Sequence, residues 1–246
     1  MQHPIVSYAQ ILYKGHYFNN KDFPEKIQSF TESLNNPVYE AWIHYYEEDN
    51  KCKIYTEGLS PYLNQIKKFA GTVSLDRSIG WSDKIDDQKE LNKVNKHSRD
   101  VFAENKIPYI TNVRFGDQKS YPFCFQDIPQ NSTLFVGEHG TQTFADYKAT
   151  FYAGIEALIK ILKPRALLIY GCVEERILDL CKKNDITLAQ YPSQCSLAHS
   201  PQKPRRCGPA SEAPLEGVAS NAVRARGRLS PSNQKKFKLL LTNHLF

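Results

Sequence analysis

Five polar groups in this chain each follow directly on a short apolar run: Asp76-Arg77-Ser78, Asn112 with Arg114, Glu138-His139-Gly140-Thr141, Tyr170-Gly171-Cys172, and Pro192-Ser193. Together they offer acids, guanidinium groups, a histidine and hydroxyls, the residue types that acid–base chemistry on an anionic substrate requires. In such a set Arg114 holds an anionic group, His139 transfers a proton near neutral pH, and Asp76 orients either of them. Asn112, Gly140, Thr141, Tyr170 and Gly171 are the accompanying ligand-binding candidates. Gly137 and Gly140 precede a helical pattern that opens with Thr141 and Thr143. Backbone amides exposed there would suit a phosphate or a carboxylate. The expected function is an enzyme, with hydrolysis among its reactions, acting on a phosphate-bearing or nucleotide-like substrate.

Each residue also has a plainer reading. Asp76 can cap its own loop through backbone amides. Arg114 can tie to Asp76 or Asp117 as a structural ion pair. His139 can be a solvated loop residue, and the two glycines can mark a tight turn. Cys172 has no basic neighbour in sequence and reads as a small buried thiol. No Lys follows the glycines as in a Walker motif, and GxGxxG is absent, so no motif identifies a cofactor. The six cysteines, Cys52, Cys124, Cys172, Cys181, Cys195 and Cys207, form no CxxC or CxxH pair. The reading is therefore free thiols and no metal site.

The elements that must position these residues alternate. Thr72–Leu75, Tyr109–Phe115, Thr133–Val136, Ala166–Tyr170 and Thr187–Gln190 read as strands, the fourth apolar on both faces as a buried parallel strand is. Ala41–Tyr46 is a further aromatic strand, with Trp42, Tyr45 and Tyr46, like Phe123 and Phe125, assigned to the core. Between the strands run helices marked by Leu91, Val94, Ser98, Val101 and Phe102, by Tyr147, Phe151, Ile155, Leu158 and Leu162, and by Val173, Ile177 and Cys181. Phe23, Ile27, Phe30 and Leu34 predict an N-terminal helix ended by Asn35-Asn36-Pro37, and Ser60-Pro61 opens another that Gly71 stops. Glu47-Glu48-Asp49 reads as a solvated loop. Asp86 and Asp87, with Asp83, suit the first turn of a helix.

Strands separated by amphipathic helices imply an α/β fold with a mainly parallel sheet of about six strands. An open doubly wound sheet and an incomplete barrel both satisfy that pattern. In parallel sheets of either kind ligands bind at the carboxyl ends of the strands, where all five polar groups fall.

The net charge of +6 is unevenly placed: nine of the 32 Lys and Arg, but two of the 26 acids, lie between Ser200 and Phe246. The rest of the chain is close to neutral, which argues against a broad phosphate-binding face on the core. Pro201, Pro204, Pro209, Pro214 and Pro231 interrupt that tail, and it lacks an apolar period. Residues 1–199 thus read as one α/β domain with an N-terminal helical segment, and residues 200–246 as a disordered basic extension. Within the extension only Lys235–Phe246 could form a short amphipathic helix. No apolar run reaches the roughly 18 residues of a membrane helix and no signal peptide is evident, so the expectation is a cytoplasmic protein without a membrane partner.

Several phrases in succession resemble a known family. They are Trp42-Ile43-His44-Tyr45-Tyr46, Lys68–Asp76, Asn112-Val113-Arg114-Phe115-Gly116-Asp117, Phe123-Cys124-Phe125, Ile128–Ser132, Val136–Gly140, Leu162-Lys163-Pro164 and Ile169-Tyr170-Gly171. The resemblance spans about residues 42–196 and is to a family of bacteria, phages and mobile elements catalogued only as a domain of unknown function. It implies a family and no reaction. Members favour a small or hydroxyl residue where Glu138 stands, and the tail beyond Ser200 has no counterpart. The setting of that family and the basic tail suggest an alternative function, a non-catalytic accessory protein that binds nucleic acid or a protein partner. If the tail is disordered, amides from Gln202 to Ser230 should exchange within seconds at neutral pH. Protection there equal to that of the core helices would overturn this reading.

Overall fold

The computed structural model describes residues 4–138 and 145–193, the side chains of Asp22, Ala145 and Asp146 excepted. Its strands are β1 (Ser7–Tyr8), β2 (Gln10–Tyr13), β3 (Lys26–Ser29), β4 (Trp42–His44), β5 (Gly71–Val73), β6 (Tyr109–Asn112), β7 (Thr133–Gly137), β8 (Ala166–Tyr170) and β9 (Thr187–Tyr191). The helices are α1 (Phe30–Asn35), α2 (Ile54–Glu57), α3 (Leu63–Ile66), α4 (Ile85–Glu104), α5 (Tyr121–Cys124), α6 (Ala145–Leu162) and α7 (Glu175–Lys183).

From β3 to β9 every strand pairs in parallel with the next in the chain. A doubly wound sheet needs a point where strand order reverses, and this order has none. Successive right-handed crossovers that always advance in one direction leave the helices on one face and curl the sheet. The N-terminal segment then bridges the two edges. Ser7 and Tyr8 pair antiparallel with Ile27 and Lys26, whereas Gln10 and Ile11 pair antiparallel with Gln190 and Ala189. Ala9, between them, donates its N–H to Glu25 O at 2.8 Å, and Ser7 Oγ donates to Pro192 O at 2.6 Å. The outcome is a nine-stranded, mostly parallel and nearly closed barrel, in the order β1-β3-β4-β5-β6-β7-β8-β9-β2.

Alternation along the strands divides the apolar residues into two layers. Ile27, Val73, Ile110, Phe135, Leu168 and Ala189 meet inside the ring, with Tyr46, Tyr170 and Tyr191. Their neighbours face the helices: Leu134, Val136, Leu167, Ile169 and Leu188 pack with Phe151, Ile155 and Leu158 of α6 and with Ile177 and Cys181 of α7. Ile43 packs with Val94 and Phe102 of α4. The helices expected from the apolar stripes of α4, α6 and α7 are present. Among the described residues no helix is long and apolar enough to cross a membrane.

The N-terminal third departs from the sequence reading. The helix expected over Phe23–Leu34 is strand β3 followed by the short α1. Ile27 and Gln28 are fully buried because β3 is paired on both sides, a tertiary gain that overrides the helical spacing. Ser29 caps α1 by accepting from Glu32 N at 3.4 Å, so the Ser-x-x-Glu cap marks the true helix start. The helix expected from Ser60 to Gly71 is a 3₁₀ turn, Ser60–Tyr62, and the one-turn α3; Gly71 opens β5 instead of stopping a helix. The sheet has nine strands where about six were expected, the additions being β1, β2 and β3. The 200–246 extension, with its candidate helix at Lys235–Phe246, and the threonines at 141 and 143 lie outside the described residues.

Gly71 is needed for space. It pairs with Trp42, and a Cβ at residue 71 would lie 2.7 Å from the indole ring. Gly71→Ala should therefore destabilise the protein by about 1–3 kcal/mol, the usual cost of overpacking a filled interior. A urea melt with an unchanged midpoint would contradict this.

Candidate functional site

Toward the carboxyl ends of the strands the lining of the barrel turns polar. Asn112 ends β6, and Arg114 lies two residues on; Asp76 lies three residues beyond β5, and Tyr46 two beyond β4. Asn112 Nδ2 donates to Asp76 Oδ1 at 2.8 Å and to Leu75 O at 3.3 Å. Tyr46 Oη donates to Asn112 Oδ1 at 2.9 Å, which fixes the orientation of the amide. Arg114 Nη1 stands 3.8 Å from Asp76 Oδ1 and donates to Gly137 O at 3.4 Å. The backbone N–H of Asp76 donates to Tyr55 Oη at 3.0 Å. Tyr46 reaches Asn112 because Gly137 stands across from it: a Cβ at residue 137 would lie 2.6 Å from the ring. Tyr46 stacks on Tyr170 at 4.8 Å, and His44 lies 4.6 Å from Tyr170.

A second acid–guanidinium pair adjoins the first. Arg77 Nη1 lies 3.1 Å from Asp49 Oδ2, and both side chains are largely buried. The Arg77 guanidinium sits 5.2 Å from the Tyr55 ring centroid. Asn95 clamps the Arg77 backbone, accepting from its N–H at 2.7 Å and donating to its carbonyl at 3.1 Å. The loop reading of Glu47-Glu48-Asp49 is thereby corrected in part. Glu48 is exposed, but Asp49 is committed to Arg77, and Glu47 accepts from Thr31 N at 3.1 Å in the first turn of α1.

Burial sets the protonation states. Asp76 is pushed up to about 6 by desolvation, with the Arg114 charge and the Asn112 hydrogen bond pulling the other way. Full burial drives His44 down to about 3, so its imidazole is neutral at physiological pH. Its Nδ1 accepts from Tyr46 N at 3.3 Å, which assigns the proton to Nε2. Burial also raises the Tyr46 and Tyr55 phenols, which stay protonated.

Of the expected site residues, the structure brings Asp76, Asn112 and Arg114 together and sets Tyr170 behind Tyr46. Gly171 is at φ 121°, a conformation that requires glycine; it donates to Tyr191 O at 2.9 Å and its carbonyl accepts from Gln190 Nε2 at 2.9 Å. Glu138 is buried and accepts from Cys172 N at 3.1 Å. Ser193 is buried, and Cys172 is half-buried. His139, Gly140 and Thr141 lie outside the described residues. Sequence reasoning set Arg77 at a strand end without assigning it a role, and missed Tyr46, Tyr55 and Asp49 as members of the cluster. For Tyr46 the signal was available, since two-residue alternation along Trp42–Tyr46 puts His44 and Tyr46 on one face. Among the described residues no three His, Cys, Asp or Glu are grouped so as to hold a metal ion.

The fold and this cluster define a barrel-like α/β protein with a buried acid–arginine network at its carboxyl mouth. The model of the family described as a domain of unknown function, DUF4417, matches residues 13–192, and the chain belongs to that family. Comparison with curated proteins and with solved structures returned no match.

The two titrating groups act oppositely on stability. Folded Asp76 takes up its proton near pH 6 and the unfolded chain only near 3.8, so this group adds stability as pH falls between those values. The unfolded chain protonates His44 below about 6.5 and the folded protein only near 3, so that group removes stability over the same range. Wild-type stability minus that of Asp76→Asn should rise by about 3 kcal/mol from pH 7 to pH 4. Wild-type stability minus that of His44→Asn should fall by roughly 1.4 kcal/mol per pH unit below about pH 6. Urea titrations at fixed pH measure both, and differences of the same sign would refute the assignment.

Proposed function

We propose that the protein is an enzyme whose active site is the carboxyl mouth of the barrel, acting on a phosphate-bearing or nucleotide-like substrate. The observation that carries this is Asp76, 7% exposed, held between Asn112 and Arg114 where the parallel strands end. A buried Asp–Arg pair costs stability unless geometry or a ligand offsets it, and 3.8 Å is a loose pairing. Mouths of parallel barrels are where such sites occur. Arg114 offers the planar fork that suits phosphate and carboxylate groups. Asp76, near 6, is poised to accept a proton at neutral pH and return it, with Asn112 steadying the carboxylate. His139, next in sequence to the buried Glu138, is the proposed second proton carrier.

An anion on Arg114 draws that charge away from Asp76, which raises the carboxyl pKa further and couples binding to proton uptake. A second reading rests on the uneven charge of the chain: the basic segment beyond Ser200 binds nucleic acid or a protein partner, and the barrel is a non-catalytic accessory module of a mobile element. A steep salt dependence of nucleic-acid binding, lost on deletion of that segment, would favour it.

The enzyme reading is tested by thermal unfolding with ribose 5-phosphate at pH 5.5 and 7.5. The melting temperature should rise, more at pH 5.5 than at 7.5. Arg114→Met should abolish the rise, and Asp76→Asn should shrink its excess at low pH. A His139→Gln variant should keep the melting temperature and lose turnover of any phosphate-bearing compound that the wild type consumes. A phosphate response unaltered in Arg114→Met would sink the reading.

A further inference from the structure

Three side chains at the mouth form a run of hydrogen bonds that all point one way. Tyr46 Oη donates to Asn112 Oδ1 at 2.9 Å, and Asn112 Nδ2 donates to Asp76 Oδ1 at 2.8 Å. All three residues are buried, at 7%, 5% and 7% exposure, where an unmet polar atom is costly. The amide nitrogen also donates to Leu75 O at 3.3 Å. Turning the amide over would set its oxygen against the Leu75 carbonyl and the Asp76 carboxylate. It would also strand the Tyr46 hydroxyl hydrogen, whose one acceptor among the described residues is Asn112. The amide is therefore committed to donating toward Asp76.

The ring of Tyr46 is held independently of its hydroxyl. It stacks on Tyr170 at 4.8 Å, lies 5.6 Å from Phe135 and is backed by Gly137. At Asp76, the Asn112 bond and the approach of Arg114 both fall on Oδ1. No described residue donates to Oδ2, and that atom is not sealed from solvent. An amide that can only donate favours the charged carboxylate, because a protonated oxygen facing it would find no acceptor.

We propose that Tyr46 is a positioning residue for Asp76: acting through Asn112, it keeps an amide donor on Oδ1 and leaves Oδ2 as the oxygen that gains and loses the proton. The proposal rests on the reading of Asp76 as a proton carrier, given under Proposed function, for its catalytic use, and on the hydrogen-bond run for its geometry. The other groups facing Asp76 are Arg114 after β6, Tyr55 of α2, whose Oη accepts from Asp76 N, and Asp49 with its partner Arg77. A change at Tyr46 that keeps the ring leaves all of these charges in place.

Tyr46→Phe is that change. Without the hydroxyl the amide can turn and accept from a protonated Asp76, which stabilises the acid form. Carbon-detected NMR titration of the full chain should place the Asp76 midpoint of Tyr46→Phe about 0.5–1 pH unit above that of the wild type, the worth of one ordinary hydrogen bond. Asn112→Leu, which removes the donor itself, should raise it further. In the wild type the Asn112 Hδ2 resonances should shift with the Asp76 midpoint, a measurement that stands even if both variants fail to fold. A midpoint unmoved in folded Tyr46→Phe, or Asn112 resonances constant through the wild-type titration, would overturn the proposal. Neither measurement uses a ligand, so the two readings can fail separately. If the midpoint moves as expected and ribose 5-phosphate leaves wild-type melting unchanged, the positioning role stands and the anion reading falls. If ribose 5-phosphate raises the melting temperature and the midpoint does not move, Tyr46 only packs and the anion reading survives.

Discussion

A parallel sheet whose strands follow one another in chain order ends in two open edges, and here those edges are β3 and β9. Unpaired N–H and C=O groups along a buried edge are costly, and along an exposed edge they invite pairing with other chains. The segment Ser7–Tyr13 satisfies both edges, with β1 pairing to β3, β2 pairing to β9, and Ala9 as the joint between them. Closure is thus made by a few residues in antiparallel pairing, whereas the rest of the ring is parallel. With the edges joined, side chains from β3 to β9 are directed onto a common axis, and the carboxyl ends become the rim of one mouth.

Closure also makes the interior small. Trp42 and Tyr46 fit because glycines, Gly71 and Gly137, stand against them. Large aromatics fill the ring and keep water from its middle, which is why His44 stays neutral and Tyr46 keeps its proton, while Tyr55 keeps its own because it is buried in the layer with Ile43 and Phe102. The same dryness raises Asp76. Ion pairs such as Lys51 with Glu48 and Lys89 with Asp86 are largely exposed and contribute little to stability. The pairs that matter electrostatically are Asp76 with Arg114 and Asp49 with Arg77, both at the mouth.

Strands β4 to β9 and helices α4, α6 and α7 were legible in the sequence because each is long or apolar enough for one period to dominate. Asp76, Asn112 and Arg114 were legible because each stands at or just past a strand end. The N-terminal third was not: Phe23, Ile27 and Phe30 fit a helix by spacing, and only pairing to β1 and β4 makes Lys26–Ser29 a strand. Barrel and open sheet could not be separated for the same reason, since the choice depends on what residues 7–13 pair with. The Asp49–Arg77 pair joins two loops far apart in sequence, and no local pattern records it.

At the mouth, partners and not depth separate the titrating groups. His44 and the tyrosines sit where desolvation pushes each of them away from neutrality and into its uncharged form. Asp76 is equally buried, but the Arg114 charge and the Asn112 amide offset part of that penalty, and the balance leaves it near 6. Its protonation therefore depends on how strongly Arg114 is engaged elsewhere. An anion paired with Arg114 would weaken the charge that Asp76 feels at 3.8 Å and raise its pKa further. That coupling needs no movement of the backbone. It follows from placing one guanidinium beside a desolvated carboxyl group.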